Sequence, residues 1–108
     1  MSSVLARINR ALSAVCGPRT YAEYDDGRQR SYMYWSAPSW EVRAYLYDER
    51  SLVISVQQVS HDGACVNNAL SLACSAVCAE ELAQAVGRVE QAISVSERRA
   101  RRANGGGS

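Results

Sequence analysis

The chain has 108 residues, enough for one domain with a single two-layer core and too few for two. Twelve basic residues against 11 acidic ones give a net charge of +1, which excludes the uniform field of a histone-like binder or an acidic DNA mimic. Lys and Phe are both absent, so the cations are all Arg and the aromatics are six Tyr and two Trp, every one of them between Tyr21 and Tyr47.

Residues 3–16 carry Leu5, Ile8, Leu12 and Val15 at spacings of three and four. This predicts a helix with one apolar stripe, capped by Ser2 or Ser3, with Arg7, Asn9, Arg10 and Ser13 turned away from the core. Gly17-Pro18 ends it, because Gly accepts a left-handed conformation and Pro has no amide to continue the ladder.

From Arg19 the period becomes two. A two-residue Asp26-Gly27 turn would set Asp25 opposite Arg28, Glu23 opposite Arg30 and Tyr21 opposite Tyr32, so that opposite charges meet. The strand from Arg28 to Trp35 is joined by Ser36-Ala37-Pro38-Ser39 to a strand from Trp40 to Tyr47. Pairing Trp35 with Trp40 sets Met33 against Val42 on one face. On the other, Tyr34, Tyr32, Arg30 and Arg28 meet Glu41, Arg43, Tyr45 and Tyr47. A three-residue loop at Asp48-Glu49-Arg50 aligns Leu52, Ile54 and Val56 with Leu46, Ala44 and Val42 and keeps the apolar face continuous.

Ser60-His61-Asp62-Gly63 is read as a turn and Asn67-Asn68 as a bend. Leu70, Leu72 and Cys74 alternate, which predicts a fifth short strand over 69–74, while a helix over 70–78 is the competing reading. Leu82, Val86, Val89 and Ile93 recur at helical spacing. Glu80 and Glu81 near the start of that helix and Arg98 to Arg102 near its end complement the macrodipole.

The expected architecture is α+β and two-layered: an N-terminal helix, an antiparallel meander of four to five strands and a C-terminal helix, with both helices on one sheet face. Residues 1–103 form the domain and 104–108 a flexible Gly-rich tail. Arg7 and Arg10 interrupt the first apolar residues, so no secretory leader is expected, and no stretch approaches the roughly 18 apolar residues of a membrane span. The expected location is cytoplasmic, with the four Cys as free thiols.

Three constellations are candidate sites. The first is the outer face of the meander: Tyr21, Arg28, Arg30, Tyr32, Tyr34, Arg43, Tyr45 and Tyr47, edged by Glu23 and Glu41. Tyr offers a stiff ring with a polar tip, and Arg stacks on rings while presenting a planar fork of donors, so the combination suits a protein interface. Tyr also favours strands, and the same ladders stabilise an exposed sheet with nothing bound. Trp35 and Trp40 fall on the opposite face, as core or as a lid at the edge of the helices.

The second constellation is His61, Cys65, Cys74 and Cys78. Zinc needs four N or S donors in a tetrahedron, usually brought in close pairs, and no C-x2-C pair occurs. Small buried thiols among Ala, Val and Leu are the expected reading, with no metal and no cofactor. The third is Arg98, Arg99, Arg101 and Arg102, a helix end suited to the dipole and also able to hold phosphate.

No P-loop, dinucleotide fingerprint, G-x-S-x-G or H-E-x-x-H motif occurs, and a lone His next to an Asp in a turn is no triad. The chain is therefore expected to be no enzyme. Its helix-meander-helix order resembles, in outline alone, small α+β adaptors, secretion chaperones and phage-encoded inhibitors. That implies a module that occupies a surface on a larger protein or protein complex. Nucleic-acid binding through the Tyr/Arg face plus the Arg-rich helix end is the alternative, and a homodimer through the open face is a further one.

Overall fold

The computed structural model describes residues 2–17, 23–25, 31–47, 50–60 and 65–105. In chain order it holds α1 (Ser2–Cys16), β1 (Glu23–Asp25), β2 (Ser31–Ala37), β3 (Trp40–Leu46), β4 (Ser51–Val59), β5 (Cys65–Ser75) and α2 (Ala79–Gly105). The five strands form one antiparallel sheet in sequential order. Both helices lie on one of its faces, as expected, with α2 over β5, β4 and β3 and α1 between α2 and β2.

Ile8, Leu12 and Cys16 form the buried stripe of α1, with Val4, Ala11 and Val15 partly covered beside it. Gly17 ends the helix at φ 93°, and its amide donates to the Ser13 carbonyl at 3.0 Å, the left-handed stop that its lack of a Cβ permits. Ser13 departs from the sequence expectation. Rather than facing away, its hydroxyl accepts the indole N–H of Trp35 at 3.2 Å and donates to Asn9 Oδ1 at 2.9 Å.

The sheet's inner face is built from Met33 and Trp35 on β2, Trp40, Val42 and Ala44 on β3, and Leu52, Ile54 and Val56 on β4, all buried. The β3–β4 register, Leu46 with Leu52 through Val42 with Val56, is the expected one. The β2–β3 register is shifted by two: Trp35 faces Val42 and Met33 faces Ala44, while Trp40 pairs with Ala37. Pro38 and Ser39 alone make the turn. Proline's fixed φ suits the second position of a tight turn, so Ser36 and Ala37 are free to extend the strand. An even shift leaves every side chain on its expected face.

The β1–β2 register is shifted by three, with Glu23 opposite Met33, Tyr24 opposite Tyr32 and Asp25 opposite Ser31. The register expected from a two-residue Asp26-Gly27 turn is therefore not the one formed; residues 26–30 lie outside the described residues. Exposed ion pairs contribute about 0–1 kcal/mol, too little to fix a register. Tyr24 thus pairs with Tyr32 where Tyr21 was expected.

β5 is longer than expected, and it settles 65–75 as strand rather than helix. Leu70, Leu72 and Cys74 pair with Val56, Ile54 and Leu52. The Asn67-Asn68 bend is instead strand with irregular register, since Gln57 pairs with Asn68 and Val59 with Cys65. At the other end, Ser75 closes the strand and starts the next element. Its hydroxyl accepts the amides of Val77 and Cys78 at 3.2 and 3.1 Å, and its own amide donates to Glu81 Oε1 at 2.9 Å. Two amides of the turn that leads into α2 are thus satisfied by a strand residue.

Leu82, Ala85, Val89, Ala92 and Ile93 bury one side of α2, with Val86 partly covered. Asn104 and Gly105, assigned to the tail by composition, are the last two residues of that helix. Ser96 is fully buried, and its hydroxyl has no hydrogen-bond partner among the described residues.

Two outcomes follow. Trp35→Ala should lower unfolding free energy by about 3–5 kcal/mol and Trp35→Phe by about 1–2 kcal/mol, because only the second keeps a ring in place while losing the bond to Ser13. Ser96→Ala should raise stability by about 1 kcal/mol, since it removes a buried unpaired hydroxyl and improves helix propensity. Denaturant titrations followed by Trp fluorescence or circular dichroism check both; destabilisation by Ser96→Ala would show that the hydroxyl has a partner.

Candidate interaction surface

With both helices on the inner face, the register decides what the outer face displays. One row across the sheet runs Tyr32, Tyr45, Val53, Ala73, and the next runs Tyr34, Arg43, Ser55, Ser71. The face has an aromatic half on β2 and β3 and a low half of Val, Ser and Ala on β4 and β5. Periodicity alone does not show this step in height.

The aromatic half is ordered by ring contacts. Tyr32 and Tyr45 lie 5.1 Å apart between centroids at 30°, and Tyr45 and Tyr47 lie 6.3 Å apart at 35°. The Arg43 guanidinium carbon sits 5.4 Å from the centre of the Tyr34 ring, within cation–π range. Arg43 Nη2 also donates to Glu41 Oε1 at 3.4 Å. Tyr47 is 46% exposed and the Arg43 side chain 45%, so a flat partner reaches both without displacing anything.

Tyr34 and Arg43 are both shifted toward their protonated forms. Burial raises the Tyr34 hydroxyl; a hydrogen bond with Ser36 opposes this, and the carboxylate of Glu41 adds to it. For Arg43, burial acts to lower the guanidinium, but the hydrogen bond to Tyr45 and the charge of Glu41 outweigh it and the net shift is upward. The Tyr34 phenol, which holds its proton beside a fixed cation, can stack and hydrogen-bond but is a poor base.

Of the residues assigned to this face from sequence, Tyr32, Tyr34, Arg43, Tyr45 and Tyr47 come together as expected. Tyr21, Arg28 and Arg30 lie outside the described residues. In the backbone register Tyr24 pairs with Tyr32, where Tyr21 was expected, because surface charge is a weak guide to the β1–β2 pairing. Trp35 and Trp40 are core residues, at 0% and 4% exposure.

The thiols do not converge. Cys65 and Cys74 stand at opposite ends of β5, nine residues of extended chain and so about 30 Å apart, and cannot share one metal ion. His61 lies outside the described residues, among which no group of three or more His, Cys, Asp or Glu is placed to hold a metal. Cys74 is partly buried on the inner face opposite Leu52, and Cys78 is partly buried at the start of α2. Burial pushes the Cys16 thiol up to about 12.

Arg98, Arg99, Arg101 and Arg102 are all exposed on the last turns of α2. At 1.5 Å per residue the 27 residues of α2 span about 40 Å, longer than any strand, and this end overhangs the sheet beyond Trp40. The cluster belongs to the helix layer, on the opposite side of the sheet from the tyrosines. No helix among the described residues is long and apolar enough to cross a membrane. Comparison with protein-family models, curated proteins and solved structures gave no significant match.

The Cys16 shift has a definite sign. Below pH 9 both folded and unfolded thiols are protonated and contribute no pH dependence. Above it the unfolded thiol ionises while the folded one holds its proton to about 12, so Cys16 lowers stability by about 1.4 kcal/mol per pH unit across that window. The alkaline slope of stability should therefore be shallower in Cys16→Ala than in the parent, even though the variant starts less stable. Parallel slopes would place the thiol in contact with water.

Proposed function

We propose that this protein is a non-catalytic protein-binding module that occupies a surface of a larger protein or complex through the Tyr/Arg face of its sheet. The observation that carries the reading is a sheet face left open by both helices, on which four tyrosines and an arginine are already held by mutual contacts. Rings fixed before binding lose little rotamer entropy on association, and Tyr and Arg are the side chains most often found at energetic centres of interfaces. The low half of the face gives a projecting partner room to seat beside the tyrosine ridge. Steric occupancy, as an inhibitor or accessory factor of a cytoplasmic target, is the mode such a surface suits. The outline similarity to small phage- or mobile-element-encoded inhibitors is consistent with that mode.

Nucleic-acid binding ranks second because its two parts are separated. Bases would stack on the tyrosines while the Arg-rich helix end lies on the far side of the sheet. A single strand cannot use both without wrapping the sheet.

Affinity capture from the native host with the parent and with a Tyr32→Ala, Arg43→Ala, Tyr45→Ala variant tests the reading. The variant should stay folded by circular dichroism, losing about 1–2 kcal/mol from the removed cross-strand pairs, and should lose the specifically retained protein by at least about tenfold. The single change Arg43→Glu should weaken capture while lowering stability by only about 1 kcal/mol, from the lost contacts to Tyr34 and Glu41 at an exposed position. Undiminished capture by both variants would overturn the proposal.

A further inference from the structure

A second surface lies on the other side of the molecule, where the last strand meets the long helix. Among the described residues β5 pairs with β4 alone, so its other edge presents unpaired main-chain donors and acceptors. The irregular pairings are confined to 65–69; from Leu70 to Cys74 the strand is regular and able to accept a neighbour, while the Ser75 amide is already engaged by Glu81. Beside this edge runs a groove made of two open depressions of about 140 and 450 Å³, joined at Arg88, which lines both. Leu70 and Leu72 form the strand side, and Arg88, Gln91, Val95 and Arg99 the helix side. Asn67 and Asn68, both exposed, close one end.

We propose that this groove receives an extended acidic segment of a partner protein, added to β5 as a sixth strand. A strand laid along that edge continues the sheet, so every second side chain points into the helix layer and meets the flank of α2. That flank is basic. Arg88 and Arg99 form no ion pair with a described residue, and Arg98 and Arg102 extend the positive run toward the end of the helix. The nearest carboxylate lining the groove is Glu81, at the far end and engaged by the Ser75 amide. Arg88 and Arg99 are 11 residues apart on the helix, about 16 Å, which an extended chain covers in about five residues. Acidic residues four or six positions apart on the helix-facing side are therefore matched to both guanidinium groups.

A second copy of this chain paired edge to edge by a two-fold would run the two α2 helices antiparallel, the Arg-rich end of one toward the Glu80 and Glu81 end of the other. Light scattering that shows such a dimer, with the β5 amides protected in the absence of peptide, would assign the edge to the copy and overturn the proposal. A single-stranded nucleic acid satisfies the arginines but leaves the main-chain edge unused. It also finds no stacking ring, since the described aromatic side chains are either core or on the outer face.

The test uses fluorescein-labelled (Glu-Thr)5 as the probe and the intact protein at low salt. The peptide should bind, the amide signals of residues 70–74 should move and gain protection from exchange, and (Gln-Thr)5 should bind at least tenfold more weakly. An Arg88→Glu, Arg99→Glu variant, altered at exposed positions, should lose binding by a similar factor. Methylating the Glu amides in one peptide and the Thr amides in another separates main-chain pairing from charge. One phase should abolish binding and the other spare it. Equal binding of both methylated peptides, absence of binding by the parent peptide, or tighter binding of an oligothymidylate to the same groove would each overturn the proposal. The Tyr32, Arg43, Tyr45 variant should bind the peptide as well as the parent does, so failure here and failure of the Tyr/Arg reading are separate results.

Discussion

Two indole rings decide how this molecule is layered. Trp35 and Trp40 stand on neighbouring strands of the inner face, and in a chain without Phe they are its largest apolar side chains. Each ring is buried and each spends its one donor on a different helix. Trp35 donates to Ser13 of α1, and Trp40 donates to Glu97 of α2 at 3.2 Å. An indole N–H buried without a partner is costly, so these bonds limit where each helix can sit as well as adding area to the core. Ser13 is fixed in turn by Asn9, one helical turn away. Leu12 and Val89 belong to the same buried core, and neither could set a position by itself because apolar contact is not directional.

Holding both helices on one side has a cost on the other. Among the described residues no element covers the outer face, and a sheet face of this size needs side chains that tolerate water while still stabilising the strands. Tyr does both, and the Tyr32–Tyr45–Tyr47 contacts show a ladder that is stable before anything binds. The use of Arg rather than Lys matters in the same place, since only a planar guanidinium can lie over Tyr34 and still reach Glu41. The same arrangement fixes the second surface: α2 lies over β5, the last strand, and its outer flank overhangs an open edge.

The parts of this fold that were legible in the sequence are those that depend on parity. Which side of the sheet Trp35 or Tyr34 faces follows from alternation, and the two-residue slip between β2 and β3 left it intact. The register itself was legible only where the apolar match was strong, at Leu46 with Leu52. It failed at Glu23 and Arg30, where the guide was surface charge, which is too weak to choose between turns. The irregular stretch at Asn67 and Asn68 read as a bend because Asn favours turns, whereas pairing with Gln57 and Gln58 holds it in the sheet. The groove could not be read at all. Arg88 and Arg99 are plainly on the polar side of a helix, but no local pattern says which strand edge they overhang.

The sequential strand order also sets the risk the chain runs while it is being made. Each of β2 to β5 pairs with the strand just before it, so the meander can assemble one hairpin at a time as the chain emerges, with little loop entropy to overcome. The side of that sheet that will carry the core has no lid until α2 follows. During that interval Trp40, Val42, Ile54 and Val56 are wet, and so is the edge of β5. A sheet that forms early but is covered late is most prone to mispairing just before its last helix arrives. The arginines that close that helix then bring positive charge to the edge where such mispairing would start.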